Sequence, residues 1–381
     1  MTGTDRIAAA LAGRPTDRVP TNVVFYEGYM AHCAGREQWE FDYGTAQDQF
    51  EMQLATIRRH PDNDGFWTWT GMNRHPVIGM HVERIDGRPW AIFDDGRRKA
   101  LDDNPANTPW NRTPDDVKRN YEAIRVRSVA DFAEKMGQVV PAAELAANES
   151  HTNLARLVRE AGDETFLWVN FSSLFSTALC RLGGPEEGWI ATATDPGLVE
   201  AVMERCMKQH LEFIDAAAAS GGHGMWNCFM NEGANILSPS TWRSLVKPFV
   251  APLVKRAHGH GMKYVAWFLD DCRPLVQDLI EMGIDGIATE QPRVAYQCEP
   301  GDLRRLAKSK DLCLFGWFWE RDLMRGDHAA IRRTLRAQYK EAGNGKPFVV
   351  ATPGLTQEFD PGVVDMVIEE AKRLEPARRR S

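Results

Sequence analysis

The chain has 381 residues, of which 43% are hydrophobic and 26% charged, a composition typical of a globular protein with ample apolar residues for a core. The formal net charge of −7 argues against nucleic acid or an anionic membrane as the main partner. No run of about 18 apolar residues exists, and the stretch Met1–Asp5 lacks the apolar region of a secretory signal.

The first part of the chain alternates between helix and strand signals. A short helix is predicted over Thr4–Leu11, and the lead-in Asp17–Pro20 precedes a β-branched strand over Thr21–Tyr26. A polar helix over Thr45–Arg59 and an aromatic strand over Gly65–Thr70 follow. Helices between strands are typical of parallel β/α units.

After the second strand the pattern changes to short alternating segments. Val82–Gly96 contains two turn dipeptides, Asp86-Gly87 and Asp95-Gly96, which are β-hairpin signals. A Pro- and Asn-rich stretch then continues to Pro114. We predict an antiparallel insertion over residues 77–114 that forms part of the site or of a subunit contact.

From residue 129 onward the alternation is regular. The predicted strands are Phe166–Phe171, Gly222–Asn231, Lys263–Leu269, Gly286–Thr289, Leu312–Phe318 and Phe348–Ala351. The predicted helices are Val129–Met136, Thr152–Ala161, Pro196–Ala219, Pro239–His258, Pro274–Met282, Gly301–Ser309, His328–Ala342 and Val363–Leu374. With the first two strands this predicts a single (β/α)8 TIM barrel spanning residues 1–381, with residues 1–20 as N-terminal helix and lead-in.

Several predicted strands end abruptly in carboxylates or amides. These residues are Glu27, Asn170, Asn231, Glu232, Asp270, Asp271 and Glu290. In a TIM barrel such positions meet at the C-terminal face, where active sites lie. One carboxylate alone could cap a helix or pair with a base, as Asp271 could with Arg273, but several together either hold a cation or have raised pKa values.

Aromatic residues and histidines also occur at or after strand ends. The tryptophans in such positions are Trp67, Trp69, Trp168, Trp226, Trp267, Trp317 and Trp319. They could be core residues, or they could form the wall of a site for a flat or apolar ligand. His32 and His75 follow the first two strands and are acid/base candidates.

Six segments, in order along the chain, carry a resemblance to a known family. They are Arg6–Leu11, Asp17–Pro20, Leu237–Arg243, Lys247–Phe249, Met282–Ile287 and Phe315–Gly326. Their order and spacing resemble the uroporphyrinogen decarboxylase superfamily, which includes the decarboxylase of haem synthesis and methyltransferases that act with corrinoid proteins. The resemblance covers nearly the whole chain and implies a TIM barrel.

Two departures from the family pattern bear on function. The decarboxylase carries an arginine-rich motif that binds substrate propionates, whereas Tyr26–His32 has no arginine and Glu27 would repel such a substrate. The family's zinc methyltransferases carry His-x-Cys on the fifth strand. The matching positions here are Trp267 and Leu269, which cannot bind metal.

Another metal set can be drawn from the remaining residues. Glu232 or Asp270 could act with Cys272 and Cys298, and His223 is a further candidate, although it precedes its strand and so belongs to the opposite face. A mixture of carboxylate and thiolate suits zinc. The cysteines could equally be small buried hydrophobes. All seven cysteines of the chain lack a CxxC spacing, which favours a cytoplasmic protein without disulfides.

The resemblance implies a methyltransferase that takes a methyl group from a small, apolar or aromatic O-, N- or S-methylated compound and passes it to a corrinoid on a partner protein. The predicted catalytic residues are Glu232, Asp270, Asp271 and Glu290. The predicted substrate-binding residues are Tyr26, Glu27, Trp69, Asn170, Asn231, Trp267, Trp317 and Trp319. Zinc at Cys272 and Cys298 is the predicted metal, and a homodimer is the predicted assembly.

Two alternatives stay open. One is a metal-independent decarboxylase or lyase acting on a small carboxylic acid, for which the predicted mouth offers only Arg74 and Arg293 as carboxylate ligands. The other is a non-catalytic family member that kept the barrel and lost the metal site.

Overall fold

The computed structural model of the chain describes residues 1–68, 80–94, 96–101, 114–289, 298–308 and 312–374. Eight strands in these residues form one parallel sheet in the order β1-β11-β10-β9-β8-β7-β6-β2. Their bounds are β1 Thr21–Asn22, β2 Gly65–Thr68, β6 Phe166–Ser172, β7 Gly224–Phe229, β8 Lys263–Phe268, β9 Gly286–Thr289, β10 Cys313–Phe315 and β11 Phe348–Ala351. The predicted (β/α)8 barrel is confirmed.

The predicted antiparallel insertion after the second strand is also confirmed. Its strands are β3 Met80–Ile85, β4 Arg88–Phe93 and β5 Arg98–Ala100. The turn between β3 and β4 is Asp86-Gly87, where both residues have positive φ (51° and 81°), as a two-residue hairpin turn requires. The second predicted turn includes Asp95, which lies outside the described residues.

Helices surround the sheet and fill the connections at both of its ends. Their bounds are α1 Gly3–Leu11, α2 Glu27–Cys33, α3 Gln38–Tyr43, α4 Ala46–Arg59, α5 Pro114–Ala123, α6 Phe132–Lys135, α7 Ala142–Ala146, α8 Glu149–Ala161, α9 Leu174–Arg181, α10 Pro185–Thr194, α11 Pro196–Ala219, α12 Pro239–Leu245, α13 Lys247–Gly259, α14 Val276–Met282, α15 Pro300–Leu306, α16 Glu320–Met324, α17 His328–Gln338 and α18 Pro361–Lys372. No helix in the described ranges is long and apolar enough to cross a membrane.

The differences from the predicted elements concentrate at the C-terminal ends of the strands. The first strand is shorter than predicted and ends at Asn22, and α2 begins at Glu27 after residues 23–26. The helix predicted over Pro239–His258 is divided into α12 and α13 at Val246, because Pro248 near the start of α13 cannot donate a backbone hydrogen bond. Helices α2, α3, α9 and α10 were not predicted, and they shape the mouth of the barrel.

The barrel is closed between β1 and β2 chiefly by side chains. The Thr21 N–H donates to Asp64 Oδ2 (2.9 Å) and the Val23 N–H donates to Asn63 Oδ1 (3.0 Å). Arg6 and Arg18 both donate to Asp64 Oδ1, at 3.1 and 2.9 Å, although the Asp64 side chain is almost fully buried. Asp64 therefore ties the N-terminal helix and the lead-in to the edge of the sheet.

We predict that Asp64→Asn lowers the free energy of unfolding by about 2 kcal/mol, because it leaves two arginines facing a neutral group at a buried position. Urea unfolding would measure the change. Asp17→Asn is the matched control, since Asp17 also binds Arg6 but is 43% exposed and should matter by less than about 1 kcal/mol. Equal effects of the two substitutions would contradict the role given to Asp64.

Alternating side chains of the barrel strands point into its interior and form a continuous aromatic core. Ile7 and Leu11 of α1 close the lower end, against inward-facing residues such as Phe166 and Phe315. The outward-facing residues of the same strands pack against the helices in a second, larger cluster. The interior is thus filled from below, and the C-terminal ends of the strands form the face where TIM-barrel active sites lie.

Candidate active site

The upper end of the barrel interior is an aromatic surface, which we call the aromatic floor: Tyr26, Trp67, Trp226 and Trp267. The Trp67 and Trp267 rings meet edge to face at 5.4 Å. The Tyr26 ring lies 5.9 Å from Trp67, and the Trp226 ring lies 6.2 Å from Trp267. The Tyr26 ring also lies over Gly354, where a Cβ atom would come within 2.1 Å of it. The floor is an apolar layer of aromatic rings, a kind of lining on which a flat or apolar ligand packs well.

The structure separates the predicted tryptophans into floor and core. Trp67, Trp226 and Trp267 lie in the floor, with Trp226 beneath Trp267, whereas Trp168 is completely buried deeper in the barrel, against Trp226. Trp317 is buried and meets the half-buried Trp319 edge to face at 5.4 Å. Trp69 lies outside the described residues.

Glu27, the first residue of α2, carries a carboxyl group with an unusual pKa. Burial, and then the nearby Asp42 carboxyl, raise the pKa of Glu27 to about 8. Burial likewise raises the pKa of Asp42 to about 7, against the opposing hydrogen bond from Gln38 (3.4 Å). Glu27 is only half-buried and directly follows Tyr26 of the floor. A carboxyl group that stays protonated at neutral pH can donate a proton.

The sequence predicted Glu27 as a substrate-binding residue and did not predict its protonation or its partner. Asp42 lies on α3, a short helix that packs against α2 and shows no clear periodic pattern. The acidic pair arises only from that packing. The histidine predicted nearby, His32, is exposed in the last turn of α2, and His75 lies outside the described residues.

Glu232, a predicted catalytic residue, is completely covered by protein (0% exposed). Its Oε1 accepts a hydrogen bond from the Ser173 hydroxyl at the start of α9, and among the described residues its Oε2 has no partner. Burial raises the pKa of Glu232 to about 8, against the opposing Ser173 bond. Glu232 is therefore a neutral, buried group beneath the loop after β7, not a group at the surface of the mouth.

Asp270 and Asp271 are held by the loops that follow β7 and β8. Asp270 is buried and accepts the Asn231 N–H (3.0 Å), with Asn231 in the left-handed region at φ 63°. At Gly233 a Cβ atom would come within 2.2 Å of the Asp270 Cβ, so the close approach of the two loops requires glycine. Ala234 N–H donates to Asp271 O (2.7 Å) and fixes the same contact.

Asp271 is paired with Arg273, the alternative that the sequence left open. Arg273 Nε and Nη2 donate to the two carboxylate oxygens at 2.8 and 2.9 Å. Burial would raise the pKa of Asp271, but the bonds from Arg273 outweigh it and hold the pKa below its ordinary value. Asp271 is thus ionised and cannot serve as a proton donor at neutral pH. Glu290, the fourth predicted catalytic residue, lies outside the described residues.

The predicted metal ligands are only partly brought together. Cys272 and Cys298 are buried with their sulfur atoms 3.9 Å apart. His223 is at the opposite face, where its Nδ1 accepts the Leu167 N–H (2.9 Å). Within the described ranges no group of three or more His, Cys, Asp or Glu side chains could hold a metal. Two thiols without a third ligand do not fit zinc, so we derive no chemistry through a metal here.

A cavity of about 660 Å³ lies beside the C-terminal end of β6, between α8, α11 and the segment before α7. Asn170, predicted to orient the substrate, lines this cavity together with Ser172. Two arginines and two histidines also line it, and none of them was predicted as a site residue. Their positions on α8, α9 and α11 carry no motif that would have identified them.

A family model and one solved structure agree with this fold. The family model described as Uroporphyrinogen decarboxylase (URO-D) matches residues 116–374. A solved structure described as a methyltransferase from Methanosarcina mazei aligns with a TM-score of 0.67 at 14% identity, covering 98% of this chain and 99% of that one. A second, described as a GH138 enzyme targeting pectin rhamnogalacturonan II, aligns with a TM-score of 0.39 at 9% identity, over 94% of this chain and 51% of that one. No curated protein sequence matches the chain.

Proposed function

The chain belongs to the uroporphyrinogen decarboxylase family, and on that premise we propose that it is a methyltransferase. It would remove a methyl group from a small, apolar or aromatic O-, N- or S-methylated compound and pass it to a corrinoid carried on a partner protein. The observation that carries the proposal is the half-buried Glu27, with a pKa of about 8, at the start of α2 directly after Tyr26 of the aromatic floor. The fold shared with the Methanosarcina methyltransferase supports it.

Each element of this site has a part in the proposed reaction. The aromatic floor binds the apolar body of the methyl donor and excludes water from one side of it. Breaking the bond between the methyl carbon and its O, N or S atom leaves a basic group that must gain a proton. Glu27 donates that proton, and the reduced corrinoid supplies the nucleophile that accepts the methyl group.

The test is an assay with cob(I)alamin as acceptor and a panel of methoxyarenes, methylamines and methyl thioethers as donors. We expect at least one aromatic donor to give the demethylated product together with methylated cobalamin, followed by absorbance. Glu51→Gln is a suitable reference variant, because Glu51 is exposed and bonds only to Gln47 and Arg36 among the described residues. If correctly folded protein demethylates none of the donors, the proposal is contradicted.

A decarboxylase acting on a small carboxylic acid is the second candidate. The family takes its name from a decarboxylase, and a neutral carboxyl such as Glu27 could also protonate the carbanion left by loss of CO2. Release of CO2 from a carboxylic acid panel without any corrinoid would favour this candidate. Neither CO2 release nor methyl transfer would favour a non-catalytic protein.

A further inference from the structure

The cavity beside β6 contains two positive charges without a described counter-charge. Arg181 and Arg205 both line it, and none of its described lining residues is acidic. Within the described ranges neither arginine forms an ion pair with a carboxylate, and the charge of Arg181 lies close enough to lower the pKa of Arg205, after the larger effect of burial. Two guanidinium groups that line one cavity and repel each other favour an anion bound by both.

The hydrogen bonds that the arginines already make leave most of their donors available. Arg181 Nη1 donates to Lys135 O (3.0 Å), and Arg205 Nη2 donates to Gly137 O (2.8 Å) and Met136 O (3.3 Å). These acceptors are neutral carbonyls, and a guanidinium carries five N–H donors. The bonds hold the covering segment in place but do not neutralise either charge.

His151 offers the cavity a hydrogen-bond acceptor. The Asn148 Oδ1 atom accepts the His151 backbone N–H (3.0 Å), so the 3.1 Å contact from His151 Nδ1 to the same oxygen needs a proton on Nδ1. The other nitrogen, Nε2, then carries a lone pair. His151 is 0% exposed, and Nε2 has no partner among the described residues. A buried acceptor of this kind is stabilised by a ligand that donates to it.

The two polar ends are separated along α11. Arg205 and Phe213 line the same cavity eight residues apart, which at 1.5 Å per residue is about 12 Å along the helix axis. His151 meets the Phe213 ring edge to face at 5.2 Å, and Phe171 lies 6.2 Å from Phe213. The arginines are therefore at one end, and aromatic rings and His151 are at the other.

We propose that this cavity is a binding site for a small, elongated organic carboxylate. Its carboxylate binds Arg181 and Arg205, its apolar or aromatic body lies against Phe171 and Phe213, and a hydroxyl or amine at the far end donates to His151 Nε2. The site is distinct from the aromatic floor. The assignment rests on the cavity alone and does not depend on the proposed methyl transfer.

Isothermal titration calorimetry on the full-length protein tests the site, with 4-hydroxycinnamate as the probe. It carries a carboxylate, a flat body and a phenol, but no methyl group to transfer. We expect saturable binding, at least about tenfold weaker binding of 4-hydroxycinnamyl alcohol, which lacks the carboxylate, and weaker binding of cinnamate, which lacks the phenol. This comparison uses only the native protein, so it holds even if an arginine variant fails to fold.

Variants then locate the site. Arg181→Gln and Arg205→Gln should each weaken binding of the probe about tenfold or more. Arg58→Gln should leave binding unchanged, because Arg58 is exposed and pairs with Glu160 away from the cavity. His151→Phe should remove the preference for 4-hydroxycinnamate over cinnamate. Two results would overturn the proposal. One is the absence of saturable heat at millimolar probe. The other is binding that the two arginine variants leave unchanged and that Tyr26→Leu abolishes, which would place the probe on the aromatic floor.

Discussion

Replacing Glu27 with glutamine is expected to slow methyl transfer by about a hundredfold to a thousandfold while leaving the fold intact. General acid catalysis contributes factors of about this size, and glutamine keeps the shape of the side chain but cannot donate a proton of comparable acidity. The loss should appear in kcat with donors that have poor leaving groups, such as alkoxides. It should be smaller for donors whose leaving group needs no proton.

The pH dependence follows from the same carboxyl. The pKa of Glu27 is raised from 4.5 to about 8, so the active, protonated form predominates below that pH and is lost above it. The rate at low donor concentration should be constant near neutral pH and fall about tenfold per pH unit on the alkaline side. Asp42→Asn should move the fall to lower pH, because it removes the second cause of the shift.

Glu51→Gln is the control for these measurements, since it removes an exposed carboxylate and should change neither the rate nor the pH profile. A Glu27→Gln enzyme with native activity, or a native profile without an alkaline fall, would remove Glu27 from the mechanism. Methyl transfer itself would then still be decided by the donor panel.

The barrel was predictable because its signals are local. Runs such as Lys263–Leu269 are apolar on both faces of the strand, as in a buried parallel sheet. Glycines such as Gly283, at φ 88°, end helices at the positions predicted from the sequence. The closure between β1 and β2 was not predictable. It depends on Asn63 and Asp64 reaching backbone groups at least 40 residues away in the chain.

The sequence predicted which carboxylates lie close together better than it predicted whether each one is protonated or open to a ligand. Glu232 and Asp270 lie near each other, as expected of two strand ends, and the Asp270 charge contributes to the raised pKa of Glu232. Whether such a group is open to a ligand depends on what covers it. Ser173, at the start of the unpredicted helix α9, covers Glu232. The same limit applies to Arg205, whose helix was predicted but whose cavity is formed by an aperiodic segment before α7.

Replacing Glu232 with glutamine is expected to stabilise the protein in alkali. The pKa of Glu232 is raised from 4.5 to about 8 in the folded state, so its contribution to stability is full below about pH 4.5 and is lost as the pH rises through 8. At about 1.4 kcal/mol per pKa unit, the loss by about pH 9 amounts to roughly 5 kcal/mol. Glutamine does not ionise, so the variant does not lose this stability in alkali.

Urea unfolding of native protein and Glu232→Gln near pH 5 and pH 9 measures this difference. Near pH 5 the two should agree within about 1 kcal/mol, because glutamine still accepts the Ser173 bond and its amide replaces an oxygen without a described partner. Near pH 9 the variant should be the more stable. Glu204→Gln, which removes an exposed carboxylate paired with Lys208, should show no such pH-dependent gain.

Glu232→Gln also tests which of the two carboxyl groups with raised pKa values, Glu27 or Glu232, donates the proton. Glu232, in the loop after β7, is hydrogen-bonded to Ser173, whereas Glu27 directly follows Tyr26 of the floor, so the variant should keep methyl transfer within about threefold of native while Glu27→Gln loses it. The reverse result, activity lost with Glu232→Gln and no gain of stability in alkali, would mean that the loop after β7 opens during turnover. Glu232 would then be the proton donor, as the sequence first indicated, and Glu27 would bind the substrate.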